Sequence, residues 1–197
     1  MRLSDLHSKV DIYNKRLYNE DMDKMPTVYL DMDGVIADFF GKLESDFGAD
    51  HWKDIKNIER CLNEIRNTDF FYEIPAFAES ADIVQLVKEH SDGDWGICSS
   101  PLRDDHYNSA YWKRKWLTIH DFIPEDLEKL IFTSNKHKYA ISRISGKPNV
   151  LIDDKPSNII AWEQAGGIGI RFQTNKDDLE YLDDQLTDIF RMHSFDV

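Results

Sequence analysis

Residues 28–38 read Val28-Tyr29-Leu30-Asp31-Met32-Asp33-Gly34-Val35-Ile36-Ala37-Asp38, a short apolar run set against three carboxylates. Val28 to Leu30 predict a buried strand, and Asp31 and Asp33 stand at its end. Gly34 permits a tight turn with close approach of the backbone to a ligand. Crowded carboxylates repel, and an unpaired buried charge is costly, so this cluster calls for something cationic to hold it. Asp38, the third carboxylate, has no role that the sequence assigns.

Upstream, Leu3, Leu6, Val10, Tyr13 and Leu17 recur at three- and four-residue steps, which predicts an amphipathic helix. The acidic NEDMDKMP that follows reads as a linker into the strand. Residues 1–26 are thus expected to form a helix and linker. Downstream of Asp38, Trp52, Ile55, Ile58, Leu62 and Ile65 share one face of HWKDIKNIERCLNEIR, so residues 39–75 are expected to form a helical insert. From there helix and strand alternate. ESADIVQLVKEH, NSAYWKRKWLTIH, HKYAISRIS, PSNIIAWEQ and DDLEYLDDQLTDIFRMH read as helices, and DWGICSS, KLIFTSN, NVLIDD and IGIRF as strands. This alternation predicts an α/β fold, a Rossmann-like parallel sheet flanked by helices, with 27–38 and 76–197 as its core.

Ligands of open parallel sheets bind beyond the carboxyl ends of the strands. Four strands here end in polar groups: Asp31 and Asp33; Ser99 and Ser100; Thr133-Ser134-Asn135 followed by Lys136; and Asp153 with Asp154. Parallel strands would bring all four clusters to one crevice. Singly, each has an ordinary explanation as a solvated strand end, a helix cap or a surface lysine. Their order at four strand ends is harder to dismiss. Mg²⁺ suits the carboxylates, because it is a hard ion that takes one or two of them together with waters and phosphate oxygens. The hydroxyl pair and the lysine suit the remaining oxygens of a phosphoryl group.

Composition narrows the ligand class. Lys and Arg number 24 against 37 Asp and Glu in 197 residues, a formal net charge of -13. A nucleic-acid polymer would be repelled, whereas a small phosphorylated molecule can be held where a metal and a few cations reverse the field locally. Cys61 and Cys98 have no zinc-like spacing and read as buried small residues. No apolar run approaches the roughly 20 residues of a membrane span, and the amino terminus has no apolar signal core. A soluble cytoplasmic protein is expected. Lys113-Arg114-Lys115 beside Trp112 and Trp116 reads as the solvated basic side of a packed helix rather than a nucleic-acid surface.

DMDGVIAD resembles the first motif of the haloacid dehalogenase (HAD) superfamily, DxDG followed by an apolar residue. The remaining motifs follow in that family's order. DMDGVIADF, Phe70-Phe71, ICSSP, FTSNK and LIDDKP are similar to the 5'(3')-deoxyribonucleotidases, which carry a small helical cap between the first two motifs. The insert at 39–75 lies where that cap should be.

The resemblance implies an HAD-like fold and a Mg²⁺-dependent phosphomonoesterase acting on deoxyribonucleoside monophosphates. Asp31 would be the nucleophile and Asp33 the general acid and base. Ser99, Ser100 and Lys136 would bind the phosphoryl group, with Lys138 a rival for the lysine role. Mg²⁺ would be held by Asp31, the Asp33 carbonyl and Asp154, with Asp153 supporting from behind or taking the ligand role itself. Phe39, directly after Asp38, is the candidate for substrate contact. Two alternatives stay open: a phosphatase for another small phosphorylated metabolite, and a non-catalytic phosphoryl-receiver or Mg²⁺-dependent interaction module.

Overall fold

The computed structural model describes residues 26–102 and 106–194. The helix expected over Leu3–Leu17 lies outside the described residues. Five strands form one parallel sheet: β1 (Val28–Leu30), β2 (Trp95–Ser99), β3 (Leu130–Phe132), β4 (Val150–Asp153) and β5 (Ile168–Arg171). Their spatial order is β3-β2-β1-β4-β5. Leu30 lies opposite Ile97 on one side and Ile152 on the other. The chain leaves β1 toward β2 and β3, then returns across it to β4 and β5. The order therefore reverses between β1 and β4, where open α/β sheets place their ligands.

Alternate strand residues face opposite sides of the sheet, so two apolar layers form. Val28, Leu30, Ile97, Val150, Ile152 and Ile170 belong to the larger one. It is covered by α3 (Ser80–His90), α4 (Tyr107–Ile119) and α6 (Leu179–Ser194), through Ile83, Val87, Trp116, Leu117, Leu182 and Leu186. Tyr29, Cys98, Ile131 and Leu151 face the other layer, closed by Ile159 and Trp162 of α5 (Pro156–Gln164). This is the α/β architecture expected of an HAD-like fold, with helices after β1.

The segment between Asp38 and Ala76 contains α1 (Phe39–Phe47), α2 (Ile58–Ile65) and single 3-10 turns at Trp52–Asp54 and Phe70–Tyr72. Its ends close on each other: Ala37 and Ala76 form an antiparallel bridge, and the Asp38 amide donates to Pro75 O at 2.8 Å. The continuous helical face expected from Trp52 to Ile65 is broken, because Ile55 is extended and Asn57 sits at φ 58°, ψ 49°. The Trp52 turn and α2 are consequently separate elements.

A second expectation also fails. HKYAISRIS is not a helix but one 3-10 turn, Lys136–Tyr139, followed by a reversal. The Ser142 hydroxyl accepts from the amides of Ile144 and Ser145, Gly146 takes φ 70°, and Ile141 bridges Pro148. Serine satisfies the local amides outside a helix, and a glycine two residues before proline turns the chain. Both cysteines are buried and free, and no helix among the described residues is long and apolar enough to cross a membrane.

Candidate active site

β1 and β4 are neighbours in the sheet, so Asp31 and Asp153 meet at their carboxyl ends. The Asp31 amide donates to Ile152 O at 2.9 Å, which carries the pairing one residue past β1. Beyond Asp31 the chain folds tightly: the amides of Ile36 and Ala37 both donate to Met32 O at 2.9 Å. Gly34 sits at φ 80°, and a Cβ there would come within 2.8 Å of Asp154 Cγ. The glycine thus lets the turn carrying Asp33 approach the loop carrying Asp154.

Lys136, from the turn after β3, is 3 % exposed and lies between two carboxylates. Its Nζ is 2.9 Å from Asp31 Oδ2 and 2.6 Å from Asp153 Oδ2. Burial opposes the ammonium charge, but Asp31 and Asp153 outweigh it and hold the group above the ordinary lysine range. Asp153 is also braced from behind: Oδ1 accepts from the Lys155 amide, and Asn158 Nδ2 reaches both oxygens at 3.1 and 2.9 Å. Lys136, not Lys138, makes these contacts.

Asp33 has a separate cation. Lys113, on α4, is fully buried, and its Nζ donates to Asp33 Oδ2 at 2.6 Å, to Ser99 Oγ at 3.0 Å and to Ser100 O at 2.7 Å. The Phe71 ring lies beneath it, 4.9 Å from Nζ. Asp33 Oδ1 is buried without a hydrogen-bond partner among the described residues. Burial raises the proton affinity of Asp33, Lys113 opposes that, and the charge of Asp31 adds to it. A carboxyl group so placed holds a proton more readily than an exposed aspartate, as a general acid requires.

The Lys113 contact corrects the reading of Lys113-Arg114-Lys115 as a solvated stripe. Ser109, Lys113, Trp116 and Leu117 are the buried residues of α4, spaced four, seven and eight apart. That spacing was available in the sequence and places Lys113 with the apolar face. Trp112, by contrast, is half-buried beside Tyr72 and Tyr111.

One oxygen each from Asp31, Asp153 and Asp154 lie within 4.8 Å of one another. Burial, then the charges of Asp31, Asp153 and Asp33, push the Asp154 carboxyl up to about 8. Three hard oxygen donors with an excess of negative charge fit a divalent cation such as Mg²⁺. Asp153 is already committed to Lys136, Asn158 and the Lys155 amide, so Asp31 and Asp154 are the more available donors.

These groups open on a cavity of about 270 Å³ lined by Asp31, Asp33, Lys136 and Asp154 together with Phe39, Phe40 and Leu102. Ser100 and Ser134 also line it, their hydroxyls 3.2 Å apart. Ser99 does not: it is fully buried and accepts from Lys113. Phe39 stacks on Phe71 and meets Phe40 and Phe70 edge-on. A larger cavity of about 440 Å³, between Phe47 and Cys61, holds none of the converging carboxylates. Asp38 lies outside the site and caps α1, its Oδ1 accepting from the Gly41 amide at 3.0 Å.

No family model matches the chain. The mitochondrial 5'(3')-deoxyribonucleotidase of Mus musculus is 28% identical over 151 residues, covering 66% of this chain and 64% of that protein. The Homo sapiens mitochondrial 5'(3')-deoxyribonucleotidase is 26% identical over 151 residues, covering 66% of this chain and 62% of its own length. The chain thus matches just under two thirds of the length of these curated relatives. Among solved structures, a hydrolase from Streptococcus pneumoniae TIGR4 overlays with a TM-score of 0.46 at 15% identity, covering 83% of this chain and 99% of that one. The chain has a five-stranded parallel α/β fold and resembles the 5'(3')-deoxyribonucleotidases in sequence.

Proposed function

We propose that the chain is a Mg²⁺-dependent phosphomonoesterase for small nucleotides, with deoxyribonucleoside monophosphates as its leading substrates. One observation carries the reading: Asp31 and Asp33 border one cavity, each against a different buried lysine, and Asp33 keeps a buried oxygen without a partner among the described residues. A solvated strand end would not need two buried cations, whereas two carboxylates with different tasks would.

In this reading the Asp31 carboxylate attacks phosphorus, forming an aspartyl-phosphate as the ester oxygen leaves with the proton held by Asp33. Water then attacks the same phosphorus and gives its proton to Asp33, and the Asp31–phosphorus linkage breaks to release phosphate. Lys136 fixes the Asp31 carboxylate and balances charge on the phosphoryl oxygens, with Ser100 beside it on the cavity wall. Ser99 contributes through its hold on Lys113 and through the backbone of its strand end. Asp31, the Asp33 carbonyl and Asp154 would hold Mg²⁺, with Asp153 orienting Lys136. Bound there, the metal screens repulsion between the carboxylate and the phosphoryl group.

Residues 39–75 serve as a cap over the cavity, with 27–38 and 76–197 as the core and 1–26 preceding it. Phe39 is the candidate wall for the sugar or base. A deoxyribonucleotide preference rests on the likeness to the two relatives named above. Cytoplasmic placement belongs to the same reading, and cell fractionation tests it.

Phosphate release from 5'- and 3'-deoxynucleotides, ribonucleotides, sugar phosphates and p-nitrophenyl phosphate, with Mg²⁺ or EDTA, tests the reaction. The expected result is metal-dependent release, fastest from deoxynucleotides. Asp31→Asn should lose about 10⁴-fold or more of kcat. Asp33→Asn should accumulate phosphorylated protein, visible by intact mass. Absence of metal-dependent release from every substrate would refute the enzyme reading.

A further inference from the structure

The cavity at Asp31, about 270 Å³, is smaller than the roughly 300–1,000 Å³ usual for small-molecule sites. It has a neighbour. A second cavity of about 420 Å³ shares Phe40, Asp154 and Lys155 with it. A substrate wider than the first cavity would extend across those shared walls.

The second cavity is cationic in a chain whose net charge is -13. Lys53 reaches it from the turn after α1, Arg171 from the end of β5, and Lys176 from the segment beyond, joining the shared Lys155. Arg171 is paired with Asp177 at 2.7 Å and donates to Gln173 Oε1 at 3.0 Å, so its guanidinium is already committed. Lys155 and Lys176 make no ion pair among the described residues, and Lys53 lies over the Trp52 ring at 5.5 Å. Pro156, the first residue of α5, lies on the same wall, so the positive end of that helix faces the space. Phe40 and Trp52, also on the wall, pack with ring centroids 5.2 Å apart and give an apolar surface. Asp154 is the one carboxylate on the wall, and it belongs to the metal-binding set of the first cavity.

Several cations, a helix amino terminus and an aromatic pair in one cavity fit an anionic group carried on an aromatic or sugar scaffold. We infer that this cavity is a second-phosphoryl subsite, so that a nucleotide bearing a further phosphoryl group binds more tightly than the monophosphate, with one phosphoryl group at Asp31 and the other among Lys53, Lys155 and Lys176. The inference rests on the nucleotide-phosphatase reading of the first cavity. A phosphoryl group carries about 1.5 to 2 negative charges near neutral pH, more than a carboxylate, and matches the number of uncommitted lysines better.

Calorimetric titration tests the subsite without requiring turnover. Asp31→Asn protein with Mg²⁺ is titrated with a deoxynucleoside 3',5'-bisphosphate, the matching 5'-monophosphate, and a 5'-monophosphate bearing a 3'-carboxymethyl group. Wild-type protein in EDTA repeats the series in case the variant is perturbed. The bisphosphate should bind at least tenfold tighter than either comparison ligand. That margin should shrink to within about twofold in Lys53→Ser/Lys176→Ser and should weaken as salt rises.

Equal binding of bisphosphate and monophosphate, or a margin that survives the double substitution, would overturn the subsite. A carboxymethyl ligand that matches the bisphosphate would overturn the phosphoryl assignment. The margin can hold while phosphate release fails on every substrate; in that case the subsite stands and the catalytic reading falls.

Discussion

Lys136 shows how one residue organises the strand ends. Its ammonium is shared between Asp31 and Asp153 in a region almost without solvent, so removing it strands two buried carboxylates at once. Breaking a buried ion pair from one side costs about 3–5 kcal/mol, because the partner charge is left uncompensated. Lys136→Met should therefore lower the unfolding free energy by about that amount in metal-free protein, measured by urea titration. Mg²⁺ should recover part of the loss, since a cation near Asp31 replaces some of the missing charge. A loss under about 1 kcal/mol would mean that the pair is solvated.

At the scale of elements, the β1–α1 connection does two jobs within a few residues. Asp31 and Asp33 serve the cavity, whereas Asp38 stops the turn and starts α1 by accepting from the Gly41 amide. Losing such a cap costs about 0.5–2 kcal/mol. Asp38→Ala should lower stability by about 1 kcal/mol, measured by thermal or urea unfolding, and should raise KM more than it lowers kcat. The reason is that α1 carries Phe39 and Phe40 but none of the reacting carboxylates. A kcat loss as large as that of Asp31→Asn would place Asp38 in the chemistry instead.

The same scale shows what the sequence made legible. Strand ends could be read because a parallel sheet brings them to one edge regardless of helix detail. HKYAISRIS could not, because its helical spacing was overridden by Ser142, Gly146 and Pro148. Lys113 was hidden by its neighbours Arg114 and Lys115, although its spacing from Trp116 and Leu117 marked it as inward-facing. Asn158, which braces Asp153, carries no signal beyond its place near a helix start.

At the scale of the whole molecule, the strand order converts a strongly acidic chain into one with a concentrated acidic centre. Asp31, Asp153 and Asp154 converge where β1 and β4 part, and Asp154 bears the consequence with a carboxyl pushed up to about 8. An aspartate in the unfolded chain ionises near pH 4. Between these values the folded, metal-free protein holds a proton that the unfolded chain has released. Stability from this group is therefore fully present below about pH 4, falls as pH rises, and levels off above about 8.

Metal binding works in the opposite sense, because the proton competes with the ion for Asp154. Thermal melts in EDTA should show Tm declining from pH 5 to pH 8, while melts in Mg²⁺ decline less. The gap between the two should widen across that range and then become constant. Asp154→Asn should flatten the decline in EDTA and close most of the gap at pH 8, since it removes both the titrating group and the ligand. A gap that is independent of pH in the wild type would mean that the ion stabilises the protein from a site not involving Asp154.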